Sequence, residues 1–262
     1  MEFCSFSSGS SGNSYMVRAG ETVLLVDCGI SGRKIFEGLA RVGQQPEDVN
    51  GILITHEHSD HIKSIRIVAR KSRTAIAYSN IATWEHIGDK VPRERQMVFE
   101  SGDRFAIGDI VVQSFPTSHD AADSVGYSFE CNGRKASIVT DTGVITPEIY
   151  SEILDADLIA LEANHEPEVL QFCRYPYNVK RRILSDRGHL SNEAAAECIC
   201  HLMEDSERPR RILLSHLSKE NNTPEMARVT VSNILEEAGI IPGDRLKLDV
   251  INRDEVSPVF EV

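Results

Sequence analysis

The sequence predicts an α+β fold of four layers, αββα, in which two mixed β-sheets lie back to back and helices cover both outer faces. Two observations support this fold class. Short apolar runs bounded by turn residues are followed by segments of helical periodicity, and this succession occurs twice along the chain. In addition, 41% of the 262 residues are hydrophobic, which is enough for a large core, and no low-complexity linker divides them. We therefore expect residues 1–262 to form a single domain.

Strands alternate with helices in the first third of the chain. Residues 1–7 alternate between apolar and polar side chains, which predicts an edge strand. Apolar residues recur at helical spacing through 31–42, which predicts a helix that ends at Gly43. Further strands are predicted at 15–17, 22–26, 51–55 and 74–78. Further helices are predicted at 62–71 and 80–87.

The rest of the chain begins with a β-rich region and continues with strands and helices. Pro147 after Thr146 predicts the start of a helix, because proline is favoured at the first helical position after a threonine cap. Thr223 and Pro224 predict a final helix in the same way, and it ends at Gly239. One more helix is predicted at 193–203. Strands are predicted at 105–107, 110–115, 125–131, 136–140, 158–162, 212–215 and 246–251.

A dense group of metal-ligating residues follows the strand predicted at 51–55. The segment 56–61 reads His-Glu-His-Ser-Asp-His and contains three of the nine histidines of the chain. His56 and His58 are two residues apart, so in extended backbone they point to the same side. A turn can then bring Asp60 and His61 beside them. Imidazole together with carboxylate suits zinc and other borderline divalent ions, so the segment predicts a metal site rather than a solvated polar loop.

Three later residues occupy the same kind of position as His56. His119, Asp141 and His216 each follow a predicted strand directly or within a few residues. A single histidine in such a loop carries little information. Three metal-ligating residues at strand ends, in a chain that already contains the 56–61 segment, indicate that they converge on it.

Composition excludes several classes of protein. The formal net charge of −12 argues against indiscriminate nucleic-acid binding through the whole surface, although it permits a local basic groove. The six cysteines are scattered and no secretory leader precedes the first strand, so we expect reduced thiols and a cytoplasmic location. No apolar run reaches transmembrane length, and we expect no membrane association.

The 56–61 segment with the three strand-end residues resembles the metallo-β-lactamase superfamily. The resemblance implies an αββα sandwich with two divalent metal ions at one edge of the sheets, and zinc, manganese or iron would suit the ligands. It also implies the ligand sets. One metal would be held by His56, His58 and His119, the other by Asp60, His61 and His216, with Asp141 bridging them. Asp27, at the end of an early strand, matches an aspartate that orients a ligand imidazole.

Two later segments resemble the nucleic-acid phosphodiesterases of this superfamily, including those of the tRNase Z type. They are 161–166, which contains Glu162, and 188–192, which contains His189. The resemblance implies that His189 acts at the scissile phosphate or on the leaving group, that Glu162 orients it, and that Asp60 helps to hold and polarise the metals. His165 is an alternative partner for His189.

The small-residue segment 8–14 and the segment 214–218 most closely resemble the YycJ/WalJ-like subgroup of bacteria. That resemblance implies a metal-dependent phosphodiesterase that acts as a 5′ to 3′ DNA exonuclease, with a hydroxide that bridges the two metals as the nucleophile. The alternatives are a small-molecule hydrolase that cleaves a thioester, lactone or cyclic phosphodiester at the same site, and a non-enzymatic regulator.

Two segments are candidates for contact with a nucleic-acid substrate, preferably DNA. A cationic run with interleaved tyrosines suits a phosphate backbone and stacked bases, with a solvated loop as the alternative. Its candidate residues are Arg174, Tyr177, Lys180, Arg181 and Arg182. Small residues at 7–13 permit close backbone approach to a ligand, with a plain hairpin loop as the alternative. The candidates there are Ser11 and Asn13.

Overall fold

The computed structural model describes residues 1–262, which contain two mixed sheets of seven strands each. The first sheet has the order β14-β1-β2-β3-β4-β5-β6. Its strands are β1 Glu2–Ser7, β2 Ser14–Ala19, β3 Thr22–Val26, β4 Val49–Leu53, β5 Ile76–Ser79, β6 Gln96–Val98 and β14 Phe260–Glu261. Strands β14 to β3 pair antiparallel and β3 to β6 pair parallel, so the predicted mixed sheet is confirmed.

The second sheet has the order β13-β12-β11-β10-β9-β8-β7. Its strands are β7 Arg104–Ile107, β8 Ile110–Pro116, β9 Val125–Cys131, β10 Arg134–Val139, β11 Leu158–Glu162, β12 Arg210–Ser215 and β13 Leu246–Val250. Strands β7 to β10 pair antiparallel, and β10 to β13 pair parallel. As a result β8, β10, β11 and β12 all run in the same direction, and their carboxyl ends lie at one edge.

Nine α-helices accompany the sheets. They are α1 Gly32–Arg41, α2 Ser59–Ile62, α3 Ile65–Lys71, α4 Ile81–Ile87, α5 Pro147–Ile153, α6 Pro167–Phe172, α7 Tyr177–Ile183, α8 Asn192–Asp205 and α9 Pro224–Glu237. The side chains of Thr146 and Thr223 accept hydrogen bonds from the third residue after each, so both threonines cap their helices as expected. None of the helices combines the length and the apolar composition needed to cross a bilayer.

The hydrophobic core consists of three layers of side chains. Leu24 and Val26 from the first sheet pack with Tyr127 and Ile138 from the second, between the sheets. A second cluster lies between the first sheet and helices α1, α3 and α4, and a third lies between the second sheet and helices α5, α8 and α9. The predicted order of helix, sheet, sheet and helix is therefore confirmed.

The structure corrects two local predictions and adds the strand β14 and the helices α6 and α7. Strand β1 is not an edge strand, because the two-residue strand β14 pairs with Glu2 and Phe3. The helix predicted at 62–71 is divided into α2 and α3, because the backbone N–H of Ser64 donates to the carbonyl of Cys28. Helices α6 and α7 lie in a segment for which the sequence suggested only a loop or a basic surface.

A close backbone contact fixes the metal-ligand segment against the first sheet. Asp60 O accepts from Asn13 N at 2.8 Å, and His61 O accepts from Cys28 N at 2.7 Å. A Cβ atom at Gly29 would lie 1.5 Å from Asp60 O, so only glycine fits between these segments. The small residues after β1 and β3 therefore serve to bring three parts of the chain into backbone contact.

We predict that Gly29→Ala lowers the free energy of unfolding by at least about 2 kcal/mol, because the clash is with backbone that cannot rotate away. Urea denaturation followed by circular dichroism measures this. Gly243→Ala is the matched control, since the nearest atom to its Cβ would be at 3.9 Å, and its stability should stay within about 0.5 kcal/mol of wild type. Equal stabilities of the two variants would contradict the role given to Gly29.

Candidate metal centre

The ends of strands from both sheets meet at one edge of the sandwich. The 56–61 segment follows β4, and Asp27 follows β3 in the same sheet. In the second sheet Asp141 follows β10, His216 follows β12, and His119 comes three residues after β8. The structure therefore brings together residues that are up to 189 positions apart in the sequence, from Asp27 to His216.

Three histidines form the first group of candidate ligands. His56 Nε2 lies 3.1 Å from His58 Nδ1, and His119 Nε2 lies 3.3 Å from the same atom. The other nitrogen of His119 hydrogen-bonds to the carbonyl of Gly188 at 3.0 Å, and that of His56 to Thr55 Oγ1 at 3.0 Å. Three ring nitrogens therefore surround one small space, which is the arrangement that a first metal site needs.

Asp60, His61 and His216 form the second group, and their ligand atoms lie within 4.8 Å of one another. Asp141 lies between the two groups. Its Oδ1 is 3.7 Å from His119 Nε2 and 3.6 Å from His216 Nε2, while its Oδ2 is 3.3 Å from His61 Nε2. This is the position that a bridging carboxylate needs, and the ligand roles stay a prediction.

Asp27 holds the ring of His61 in place. Its Oδ2 lies 2.7 Å from His61 Nδ1 and accepts from Thr55 Oγ1 at 2.9 Å, while its Oδ1 accepts from the backbone N–H of Thr55 at 2.9 Å. The Nδ1 proton of His61 is thereby fixed and its Nε2 faces the other candidate ligands. This contact suits an orienting aspartate, the role that the resemblance implied for Asp27, and the role stays a prediction.

Glu162 holds the rings of two histidines in place in the same way. Its Oε1 lies 2.7 Å from His189 Nδ1 and 2.8 Å from His216 Nδ1, and its Oε2 accepts from the backbone N–H of Thr142 at 2.8 Å. The sequence suggested contact with His189 only. The contact with His216 could not be foreseen, because it depends on β11 and β12 being neighbours in the sheet.

The buried carboxylates of the centre favour positive charge on the groups beside them. Burial opposes charge on His216, but the carboxylates of Asp141 and Glu162 outweigh it and raise the pKa of His216 to about 9. Burial likewise opposes charge on His61, and Asp141 with the other nearby carboxylates raises the pKa of His61 well above its usual value. His216 Nε2 and Asp141 Oδ2 are buried without a hydrogen-bond partner. Unpaired buried ligand atoms of this kind fit bound divalent metal ions.

Three residues of the centre have backbone conformations that only glycine adopts easily. The φ angles are 61° for Asp27, 58° for Asp141 and 54° for His216. Asp27 and His216 stand directly after the last residue of a strand, and Asp141 stands two residues after one. Left-handed backbone is uncommon for residues other than glycine, and such strain clusters at functional sites.

Asn13 reaches the centre, whereas Ser11 does not. Asn13 is buried, its Oδ1 accepts from Gly9 N at 2.9 Å, and its Nδ2 lies 3.1 Å from His61 Nε2. Ser11 is exposed at the turn of the same loop. Ser8, which the sequence did not single out, accepts from the backbone N–H of His216 at 2.8 Å. The cluster of small polar residues at 8–14 was the available signal.

The basic candidates lie on the segment that contains α6 and α7. Arg182 forms a two-point ion pair with Asp120, the neighbour of His119. Arg181 is exposed and Lys180 is partly exposed. The last two candidates, Arg174 and Tyr177, are exposed as well. These four residues are not part of the metal centre, and of the basic candidates Arg182 contacts it most directly, through Asp120.

The αββα sandwich and the His/Asp cluster at its edge define a metal-dependent hydrolase of the β-lactamase superfamily, to which this chain belongs. The family model described as Beta-lactamase superfamily domain matches residues 22–217. The chain is 41% identical over 251 residues to Exodeoxyribonuclease YycJ of Bacillus anthracis, covering 95% of this chain and 94% of that protein. It is 40% identical over 260 residues to Exodeoxyribonuclease WalJ of Streptococcus pneumoniae, covering 97% and 96%.

Solved structures share the fold at lower identity. The metallo-β-lactamase fold protein YhfI from Bacillus subtilis superposes with a TM-score of 0.73 at 15% identity, covering 98% of this chain and 99% of that one. The short form of human tRNase Z superposes with a TM-score of 0.63 at 17% identity, covering 98% of both chains. The family model and the two relatives confirm the predicted resemblance to this superfamily, and the solved structures confirm its fold.

His165 is not the partner of His189, whose Nδ1 is held by Glu162. His165 is 1% exposed, and neither of its ring nitrogens has a hydrogen-bond partner. Burial lowers the pKa of His165 to about 4. It is therefore a neutral buried side chain whose protonation must oppose folding.

We predict that this histidine makes the protein acid-sensitive. The unfolded chain takes up a proton at His165 near pH 6.5 and the folded chain only near pH 4, so the stability contribution is present above pH 6.5 and is lost as the pH falls. Between these two values the wild type should lose about 3 kcal/mol relative to His165→Leu. Urea denaturation of both proteins at several pH values tests this, and parallel stability curves would contradict it.

Proposed function

We propose that this chain is an exodeoxyribonuclease that degrades DNA from the 5′ end with the help of two divalent metal ions. Zinc and manganese suit the candidate ligands, and iron would suit them too. The observation that carries the proposal is the shared carboxylate of Glu162, which holds His189 beside the candidate ligand His216. A metal centre with an additional imidazole at its rim suits phosphodiester cleavage. The names of two relatives that are at least 40% identical support DNA as the substrate.

The metal ions supply, when bound, a water of lowered pKa and positive charge for the phosphoryl oxygens. The protein holds Asp60 in the charge state that a metal ligand needs. Burial opposes the charge of Asp60, but His61 outweighs it and lowers the pKa of Asp60, so this carboxylate is ionised at neutral pH. Its side chain is 26% exposed, which places it between the buried ligands and the solvent from which a substrate arrives.

His189 has a different role from the ligands. Its Nδ1 faces Glu162, and the side chain is 13% exposed, so the ring reaches the open side of the centre. Burial opposes charge on Glu162, but His189 and His216 outweigh it and lower the pKa of Glu162, which stays ionised. An imidazole backed by a carboxylate can donate a proton to the leaving oxygen of a phosphodiester. We therefore propose that His189 protonates the leaving oxygen.

The small-molecule hydrolase is not favoured as the alternative, because the relatives named exodeoxyribonucleases match over at least 94% of their own length. We also propose that residues 1–262 act as one domain in the cytoplasm. Both sheets contribute candidate ligands to the same centre, and all six cysteines are free, as expected in a reducing compartment.

We predict that the wild type releases nucleotides from the 5′ end of labelled DNA, hydrolyses bis-p-nitrophenyl phosphate and leaves a thioester intact. Asp60→Ala and His61→Ala should lower both phosphodiesterase activities at least about a thousandfold, because each removes a candidate ligand of the second metal. Activity is measured in zinc and in manganese, with metal content determined by elemental analysis.

His86→Ala is the matched control for these variants, since His86 is exposed on α4. It should retain wild-type activity. A folded, metal-loaded Asp60→Ala protein that still cleaves DNA would overturn the assignment of the centre.

We predict that His189→Ala lowers kcat by roughly 100- to 10,000-fold with both metals still bound, because it removes a proton donor and no ligand. Glu162→Gln should lower kcat and also weaken metal affinity by roughly 10- to 100-fold, because it disturbs His216 as well. Steady-state kinetics and a metal titration of the two variants separate these effects. If His189→Ala loses metal instead, His189 is a ligand, which its grouping with His119 and Asp141 would then explain.

A further inference from the structure

A segment beside the metal centre exposes an unusual amount of aromatic surface. We call residues 167–184, which contain α6 and α7, the arm. Phe172 is 84% exposed and Tyr177 is 76% exposed, and Leu184 on the same segment is 57% exposed. Exposed aromatic side chains that lie close together on a surface mark interaction sites more often than isolated ones do.

The arm is positively charged in an acidic protein. The whole chain has a formal net charge of −12, yet the arm contains four basic residues and one acidic residue, Glu168. The basic residues are Arg174, Lys180, Arg181 and Arg182. Arg182 is already paired with Asp120, and Lys180 Nζ donates to the carbonyl of Gln171, so the charge that is free to meet a ligand comes mainly from Arg174 and Arg181.

Aromatic and cationic side chains of the arm line two adjoining grooves. One, of about 700 Å³, is lined by Tyr177, Lys180 and Arg181 among others. The other, of about 610 Å³, is lined by Phe172 and Arg174 among others. Both grooves also include Tyr175 and Glu168. The guanidinium carbon of Arg181 lies 6.0 Å from the ring centroid of Tyr177, so ring faces and cations are interleaved along the surface.

The end of the arm is fixed to the metal centre. Arg187, three residues beyond the arm, donates to the carbonyl of His119 at 3.0 Å, and Ser118 Oγ donates to Asp186 O at 2.6 Å. Gly188 accepts from the ring of His119 at 3.0 Å. A linear ligand that lies along the arm would therefore arrive at the candidate ligand His119.

We propose that the arm binds a single strand of DNA next to the metal centre, with bases stacked on Phe172 and Tyr177 and phosphates held by Arg174 and Arg181. The inference rests on the proposed function, since it assigns the surface to the substrate of that site. The chemistry favours a nucleic acid over a protein, because interleaved rings and cations match the alternating bases and phosphates of a strand.

The test measures binding without cleavage. A fluorescein-labelled oligo(dT) of about twenty nucleotides, with phosphorothioate linkages that resist cleavage, is titrated with the metal-loaded protein, and its fluorescence anisotropy gives Kd. We expect Phe172→Ala with Tyr177→Ala to raise Kd at least tenfold, because base stacking on an aromatic ring contributes roughly fivefold or more per base. Arg181→Gln should reduce the slope of log K against log salt concentration by about 0.7, the value for one phosphate of a single strand.

The controls are equally exposed residues on other faces of the molecule. Ile241→Ala removes a side chain that is 78% exposed, and Arg228→Gln removes an exposed cation on α9. Both should bind oligo(dT) like the wild type. Thermal denaturation of every variant verifies folding, and unchanged hydrolysis of bis-p-nitrophenyl phosphate verifies that the metal centre is intact.

The outcomes separate the two proposals. If the wild type degrades DNA and the arm variants bind oligo(dT) as tightly as it does, the arm inference is wrong and the proposed function stands. If the arm variants lose binding but the wild type cleaves no DNA with any metal, the surface binds nucleic acid and the proposed activity is wrong. If the wild type neither binds nor cleaves DNA, both fail.

Discussion

Two buried carboxylates determine how the histidine rings of the metal centre are oriented. Asp27 and Glu162 each accept three hydrogen bonds, and together they hold the Nδ1 atoms of His61, His189 and His216. An unpaired carboxylate would cost several kcal/mol to bury, and these hydrogen bonds offset that cost. Because the Nδ1 side of each ring is held in this way, the Nε2 atoms of His61 and His216 face the other candidate ligands, while the ring of His189 reaches the open side of the centre. The other features of the centre depend on this arrangement.

The centre also depends on how the two sheets pack. His61 comes from the first sheet and His216 from the second, and their ring centroids are 6.0 Å apart. The apolar layer between the sheets, which includes Leu24 and Tyr127, sets that separation. Protein interiors are close-packed, so a change of volume in this layer is transmitted to the distance between the ligands. The distant core residues are in this sense part of the geometry of the site.

The sequence predicted the fold class and the residues of the centre because both depend on local patterns. Apolar runs mark the strands, threonine followed by proline marks two helix starts, and the segment 56–61 has a composition that few structures other than a metal site explain. Long-range contacts could not be predicted. Three examples are the pairing of β14 with β1, the second histidine held by Glu162, and the contact of Asn13 with His61. Each joins distant parts of the chain, and no local sequence pattern indicates that they meet.

The left-handed backbone at Asp27, Asp141 and His216 has a consequence for how this family can diverge. Asparagine and glycine adopt that conformation more readily than most residues. A replacement of Asp141 by either would remove the charge while the turn keeps its shape. The charge of this candidate ligand and the shape of its turn are therefore separable by a single substitution.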